Sequence, residues 1–300
     1  MNEDVIFPTK LSPIQTKTFY KYKNISSNES FNYLLDSIKN KYFYFSHPIQ
    51  LNDPFDANVP NSYEASDMEI QNWLFKHARL TKLSIPDVRK KINDGSLVSV
   101  LDSLAEKDRN NFCILSLCSS DLNEILWGTY TDSYSGICLG YNAIQYDNEQ
   151  IDGENVYYIE SINNNYMDFV PELRKINNKK YFFIRPVIYD NDGLHKYNIF
   201  QQDKKNIEYN IYHKKSIWKQ ENEFRAILIN NPLKPNAFNQ KIYYGENTLC
   251  EILFGYNISA DKKKQIIEIV SKSYSKSSVE FFDVKPDLNT FSLKKIKINI

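Results

Sequence analysis

Hydrophobic and polar residues recur with two different periods along this chain, and each period predicts a different element. Residues 18–23 (TFYKYK) alternate between aromatic and polar positions, which favours a β-strand. A helix is predicted next, because Phe31, Leu34 and Ile38 recur at helical spacing. Residues 42–46 (YFYFS) are again typical of a strand, so the chain is expected to begin with a strand, a helix and a second strand.

The rest of the pattern predicts further strands and two groups of helices. Strands are expected at 112–117, 136–141, 223–230 and 251–254. Residues 65–111 are predicted to form two or three helices, as a helical insertion or cap, and a last helix is expected at 260–274. Because strands and helices do not alternate strictly, we predict a single α+β domain over residues 1–300 with a mixed or antiparallel sheet core.

Composition and charge exclude several classes of function. The chain has 300 residues, with 37 Lys and Arg and 37 Asp and Glu, so its formal net charge is zero. No global positive field therefore steers it to DNA or RNA, and contact with nucleic acid would need a local basic patch. No run of about 18 apolar residues is present, so no membrane partner is expected. Acidic residues near the N-terminus do not suit a secretory signal, and a cytoplasmic location is expected.

Two glutamates and an arginine form the most informative chemical motif. In the segment WKQENEFRAI, single residues separate Glu221, Glu223 and Arg225. If a strand begins near Glu221, alternation puts these three side chains on one face while Phe224 faces the core. Two such close carboxylates disfavour joint ionisation, and Arg225 would offset that repulsion. The row suits stabilisation of a developing cation, although a solvated strand face with an ordinary ion pair explains the same spacing.

Two other segments carry candidate binding residues. The loop LNDPFD has strong turn chemistry, and its aspartates Asp53 and Asp56 are candidates to hold a ligand or a metal ion. A structural Asx turn is the alternative interpretation of this loop. Tyr20 and Tyr22 share one strand face with Lys21 opposite, which sheet propensity alone explains. The four histidines form no recognised metal-binding spacing, and no metal site is predicted.

Taken in order, these segments resemble a bacterial family known only as a domain of unknown function, DUF2971. The resemblance covers residues 18–256 and rests on five motifs. They are a Tyr-Lys-Tyr strand (20–22), a strand ending in Ser46, the LNDPFD loop (51–56), a Trp-containing helix leading into Gly-Ile-Cys-Leu-Gly (136–140), and W-x-x-E-x-E-x-R (218–225). The family often has His where this chain has Thr129, so no acid or base role is expected there.

The same order of motifs resembles a distant ADP-ribosyltransferase. That superfamily places a basic or His residue on a first strand, a Ser or Tyr on a second, and Glu-x-Glu on a later one. The resemblance implies that Lys21 or Tyr20 contacts the ribose of NAD and that Ser46 braces the site. Glu223 would be the catalytic carboxylate, which stabilises the sugar cation as nicotinamide leaves, and Glu221 would orient the acceptor.

The resemblance also implies the remaining partners of such an enzyme. Tyr22, Asn52, Asp53 and Arg225 would join the residues that bind NAD, which would be consumed as a substrate. The acceptor would be an unknown protein or nucleic acid. A toxin or an anti-phage defence effector is the implied biological role, with a protein partner from the same defence operon.

Two further functions compete with this one. A non-enzymatic binding or sensor module of a defence or regulatory system would fit the zero net charge and the abundant aromatic residues. Glu221 and Arg225 would then only form an ion pair. A Mg²⁺-dependent nuclease would use Asp53, Asp56, Glu221 and Glu223, but no Asp/Glu-x-Lys core follows them.

Overall fold

β-Strands dominate the computed structural model of this chain, which describes residues 13–58, 60–77, 82–109, 112–146, 150–151, 154–162, 173–176, 179–190, 196–201, 211–229, 240–275 and 278–299. The strands are β1 (Pro13–Lys23), β2 (Tyr42–Tyr44), β3 (Asn61–Ser62), β4 (Phe112–Cys118), β5 (Ile137–Tyr146), β6 (Gln150–Ile151), β7 (Glu154–Asn155), β8 (Tyr157–Ser161), β9 (Leu173–Ile176), β10 (Lys179–Pro186), β11 (Ile188–Asp190), β12 (Tyr197–Asn198), β13 (His213–Lys215), β14 (Glu223–Ile229), β15 (Lys241–Tyr243), β16 (Leu249–Phe254), β17 (Glu280–Asp287) and β18 (Ser292–Ile298). The helices are α1 (Asn28–Lys39), α2 (Asp67–Lys76), α3 (Ile85–Asn93), α4 (Val98–Arg109), α5 (Glu124–Thr129) and α6 (Ala260–Ser273), and short 3-10 helices cover Pro48–Gln50 and Ser216–Glu221.

Six of these strands close into a barrel. Their order around it is β1, β4, β14, β10, β8 and β5, with antiparallel pairs throughout, and β5 pairs with β1 to complete the ring. β1 and β4 pair at one register position, Tyr20 opposite Cys118, and β14 places Glu223 opposite the same Cys118. Tyr20, Cys118 and Glu223 therefore lie side by side on three neighbouring strands.

Aromatic side chains meet inside the barrel and fix which face of each strand points inward. The ring centre of Phe19 lies 4.9 Å from that of Tyr157 and 4.7 Å from that of Phe224. These two residues belong to β8 and β14, which are not neighbours of β1, so the three rings meet across the interior. Because side chains alternate along a strand, Glu223 and Arg225 lie on the outer side of the barrel wall.

The sheet continues beyond the barrel at β5. The first half of β5 pairs with β16, and its second half contacts β8. β16 then pairs in parallel with β17, and β17 pairs antiparallel with β18. Helices α1 and α6 bury Leu34, Ile38, Ile266 and Val270 in the same hydrophobic cluster as the barrel interior, so both helices are fixed to the barrel.

Residues 65–111, where the sequence predicted two or three helices, contain α2, α3 and α4. These helices bury Ile70, Trp73 and Val88 in a hydrophobic cluster separate from that of the barrel, and Tyr197 from a later segment joins it. The strand that contains Tyr197, β12, pairs with β3 directly before these helices. None of the helices within the described residues has the length and hydrophobicity that a membrane crossing requires.

The fold class predicted from the sequence is confirmed in its coarser terms. The protein combines helices with sheets that are mostly antiparallel, and the described parallel pairs are β16–β17, β11–β13 and β3–β12. Closure of six strands into a barrel was not predicted. Alternation reveals which face of a strand is buried, but it does not reveal which strands pair with each other.

Backbone and side-chain atoms of Lys23 and Thr131 lie very close to Gly136. A Cβ atom at this position would overlap the carbonyl oxygen of Lys23 and would lie 2.8 Å from the Cβ of Thr131. We expect Gly136→Ala to lower the free energy of unfolding by about 3 kcal/mol, near the upper end of the usual cost of overpacking. Urea unfolding measures this change.

Gly128, in α5, is the matched control. A Cβ atom there would meet nothing within 4 Å. We expect Gly128→Ala to raise the free energy of unfolding by about 0.5–1 kcal/mol, because alanine favours a helix more than glycine does. Similar stabilities for the two variants would contradict the close approach of β1 and the start of β5.

Candidate functional site

One cavity brings together most of the residues that the sequence singled out. It has a volume of about 360 Å³ and lies where β1, β4 and β14 meet, with further walls from the loop after β2 and from the chain between β13 and β14. The predicted site residues that line it are Tyr20, Lys21, Tyr22, Ser46, Asn52, Glu221 and Glu223. We call it the first cavity.

Two predicted site residues do not line the first cavity. Asp53 accepts a hydrogen bond of 3.0 Å from the backbone N–H of Phe55, which is the structural Asx turn that the sequence left as an alternative. The ring of Phe55 is half exposed. Arg225 is fully buried and lies against Glu223, so its contact with the cavity is indirect.

A buried network of five charged side chains forms one wall. The Nζ of Lys214 lies 2.6 Å from Glu221, 3.2 Å from Glu223 and 3.5 Å from Asp56. Arg225 donates from Nε to Oε1 of Glu223 at 2.7 Å, and from Nη2 to Asp56 at 2.6 Å and to Oε2 of Glu223 at 2.9 Å. With all five groups ionised, the network carries one net negative charge.

The network keeps Glu223 ionised. Burial alone would raise the pKa of Glu223, but the charges of Arg225 and Lys214, with hydrogen bonds from Arg225 and Ser116, lower that pKa to about 2. Burial would likewise lower the pKa of Lys214, and the charges of Glu223, Asp56 and Glu221 raise it above its ordinary value instead. At neutral pH the cavity wall therefore presents a carboxylate and not a carboxylic acid.

The ammonium group of Lys214 occupies the position between three carboxylates. It lies within 4.0 Å of Asp56, Glu221 and Glu223. Within the described ranges, no group of His, Cys, Asp and Glu residues has an arrangement that could hold a metal ion. Oδ1 of Asp56 is buried and has no hydrogen-bond partner in the described part of the chain.

Glu221 lines the cavity from a 3-10 helix and not from the strand that the sequence predicted. It ends the second 3-10 helix, and Asn222 follows with a left-handed backbone (φ 46°), so the strand begins only at Glu223. Alternation within one strand therefore does not place the two glutamates together. Glu221 instead accepts a hydrogen bond of 2.8 Å from the hydroxyl of Tyr130, which also accepts one of 3.1 Å from Asn52.

Lys21 lines the cavity without a carboxylate partner. Its Nζ donates a hydrogen bond of 2.8 Å to the carbonyl oxygen of Ser116, and it forms no ion pair with a described residue. Burial lowers its pKa from an ordinary 10.5 to about 7, and the nearby charge of Lys23 lowers it further than the charge of Glu223 raises it. Lys21 is therefore close to half-protonated at neutral pH.

The two tyrosines beside Lys21 are held by other groups. The hydroxyl of Tyr20 donates a hydrogen bond of 2.6 Å to Glu251, and that of Tyr22 donates one of 2.9 Å to the carbonyl oxygen of Ser120. Burial, followed by the charge and hydrogen bond of Glu251, raises the pKa of Tyr20 far above its ordinary value. Both rings are thus fixed and uncharged where they border the cavity.

Sequence reasoning missed Lys214 and Tyr130. Lys214 lies in β13, a strand that the hydrophobic pattern did not predict. In β13 Lys214 is buried and its neighbour Lys215 is exposed, with Nζ 4.0 Å from the centre of the Phe55 ring. Tyr130 directly follows α5 and lines the first cavity. Neither residue has a sequence signal that distinguishes it from its neighbours.

This chain matches no protein-family model, no curated protein and no solved structure.

The lowered pKa of Lys21 makes the stability of the fold depend on pH. The folded chain binds the Lys21 proton with a pKa of about 7 and the unfolded chain with an ordinary lysine pKa, so the unfolded chain binds more protons between these values. Stability from this group therefore rises with pH. We expect the free energy of unfolding of the wild type, relative to Lys21→Met, to increase by up to about 1.4 kcal/mol per pH unit between about pH 7.5 and 9.

Urea unfolding at several pH values measures this difference. Lys264→Met is the control, because Lys264 is exposed on α6. Its stability relative to the wild type should not change with pH over the same interval. A pH-independent difference for Lys21→Met would show that Lys21 keeps an ordinary pKa.

Proposed function

We propose that this protein is an NAD-consuming enzyme of the ADP-ribosyltransferase type, with a fold distantly similar to that superfamily. It would cleave the bond between nicotinamide and ribose and transfer ADP-ribose to a protein or nucleic acid. One observation carries the proposal: Lys21, Ser46 and Glu223 come from three distant segments and line the same cavity. A role as a toxin or anti-phage effector belongs to the same proposal.

The charge of the first cavity suits the nicotinamide end of NAD. The nicotinamide ring of NAD is cationic, and the network of Asp56, Lys214, Glu221, Glu223 and Arg225 carries one net negative charge when all five groups are ionised. The volume of the first cavity, about 360 Å³, lies within the usual range for small-molecule sites. The fixed tyrosine rings add apolar surface that a planar group can contact.

Glu223 is suited to the bond-breaking step. When the bond between C1′ of the ribose and the nicotinamide nitrogen breaks, both bonding electrons leave with nicotinamide, and positive charge develops on the sugar. An ionised carboxylate stabilises that charge, and the low pKa of Glu223 keeps it ionised. An acceptor oxygen or nitrogen, oriented by Glu221, then supplies the electron pair for the new bond to C1′ and releases its proton to water.

A catalytically silent binding module is the second candidate. Both carboxylate oxygens of Glu223 are paired with Arg225, which also suits a purely structural ion pair. In that case the cavity binds a ligand and breaks no bond. A Mg²⁺-dependent nuclease fits less well, because Asp53 lies outside the cavity and the ammonium of Lys214 stands between the other three carboxylates.

Release of nicotinamide tests the proposal. The purified protein is incubated with NAD, with and without bacterial lysate as a source of acceptors, and free nicotinamide is quantified by chromatography. We expect release by the wild type and a decrease of about 100-fold for Glu223→Gln, which removes one preorganised charge. Glu280→Gln is the control, because Glu280 lies half exposed on β17, and it should keep full activity.

Stability must be separated from catalysis in this experiment. Glu223→Gln breaks a buried ion pair, which costs about 3–5 kcal/mol of stability. Its activity is therefore compared with that of the wild type at a temperature below the measured Tm of the variant. Ser46→Ala removes one partly buried hydroxyl from the cavity wall and should lower activity with less effect on Tm. Binding of NAD without release of nicotinamide would favour the binding module, and full activity of folded Glu223→Gln would refute the assigned role.

A further inference from the structure

A second cavity lies next to the first one, and Lys21 lines both. Its volume is about 500 Å³, and Lys21, Asn24 and Gln50 line both cavities. Its remaining walls come from α1, β2, the start of β5 and Lys241. β1 and β4 pair at a single register position, Tyr20 opposite Cys118, and Lys21, the next residue of β1, borders both cavities.

Two lysines without carboxylate partners share this second cavity. Lys21 and Lys23 lie on the same face of β1, so their backbone positions are about 6.5–7 Å apart. In the part of the chain that the structure describes, the ammonium group of Lys21 donates one hydrogen bond, to the carbonyl oxygen of Ser116, and the side chain of Lys23 has no hydrogen bond or ion pair. Lys241, by contrast, lies 3.3 Å from Asp36.

Keeping both of these lysines charged is unfavourable, and a bound anion would offset that cost. Both lysines are partly buried, and burial lowers the pKa of each of them. Their mutual repulsion lowers the pKa of Lys21 further. Glu29, at the start of α1, is the carboxylate among the lining residues, and it is exposed. A bound anion would remove the repulsion and replace the water that burial has excluded.

We propose that the second cavity binds the diphosphate group of a nucleotide, with Lys21 and Lys23 as its two cationic contacts. This inference builds on the proposed function, because NAD carries a diphosphate between its two ribose groups. With the nicotinamide end in the first cavity, the diphosphate passes Lys21 and enters the second. Tyr33, which is 63% exposed, adds an aromatic surface to the cavity wall against which the base can stack.

Calorimetric titration with ADP, inorganic pyrophosphate and adenosine tests this site. ADP and pyrophosphate should bind, with affinities that fall as the salt concentration rises, whereas adenosine should bind much more weakly. Lys23→Met should weaken binding of both phosphate ligands about tenfold or more, because it removes one charge-assisted hydrogen bond. The exposed Lys264→Met variant should bind both ligands as the wild type does.

The possible outcomes test the diphosphate site and the proposed reaction separately. ADP contains no nicotinamide, so its binding does not require catalysis. Binding of ADP that Lys23→Met weakens, without any release of nicotinamide from NAD, would support the site and refute only the reaction. Unchanged ADP affinity in folded Lys23→Met, or adenosine binding as tight as that of ADP, would refute the site even if nicotinamide is released.

Discussion

The buried pairing of Arg225 with Glu223 and Asp56 is the interaction on which the site depends. Arg225 is fully enclosed, and its guanidinium also donates to the carbonyl oxygen of Ile211 at 2.5 Å. A buried charge is costly unless every donor finds a partner, so these contacts fix β14, the loop after β2 and the chain before β13 relative to one another. The same contacts hold Glu223 ionised at the cavity wall.

Four cations beside the two cavities fall into two groups, one paired with carboxylates and one unpaired. Lys214 and Arg225 are paired with carboxylates, so they shape the first cavity, and the network of five groups to which they belong carries one net negative charge. Lys21 and Lys23 form no ion pair with a described residue, burial lowers the pKa of both, and the charge of Lys23 lowers the pKa of Lys21 further. The first group therefore stabilises the fold, whereas the second is available to an anionic ligand.

The resemblance to ADP-ribosyltransferases implied a shared site for Lys21, Ser46 and Glu223, and all three line the first cavity. The sequence did not predict how Glu221 reaches them, since the left-handed Asn222 interrupts the strand between the two glutamates. Lys214 was missed because two lysines follow each other in the sequence and the pattern does not show which one is buried. In the fold both belong to β13, which pairs with β11, and it is Lys214 that is buried. Closure of the barrel depends on contacts between distant strands, which local periodicity does not encode.

Lys21 links the two cavities, and its position determines what kind of ligand spans both. Such a ligand needs a neutral or cationic group beside Glu223 and an anionic group beside Lys23. A simple nucleoside lacks the anion, and a nucleic acid strand would bring phosphates against the negative network as well. NAD has a cationic nicotinamide at one end and a diphosphate at its centre, so it satisfies both requirements. The charge pattern of the two cavities therefore supports the proposal that a dinucleotide, and not a nucleoside or a nucleic acid strand, is the ligand.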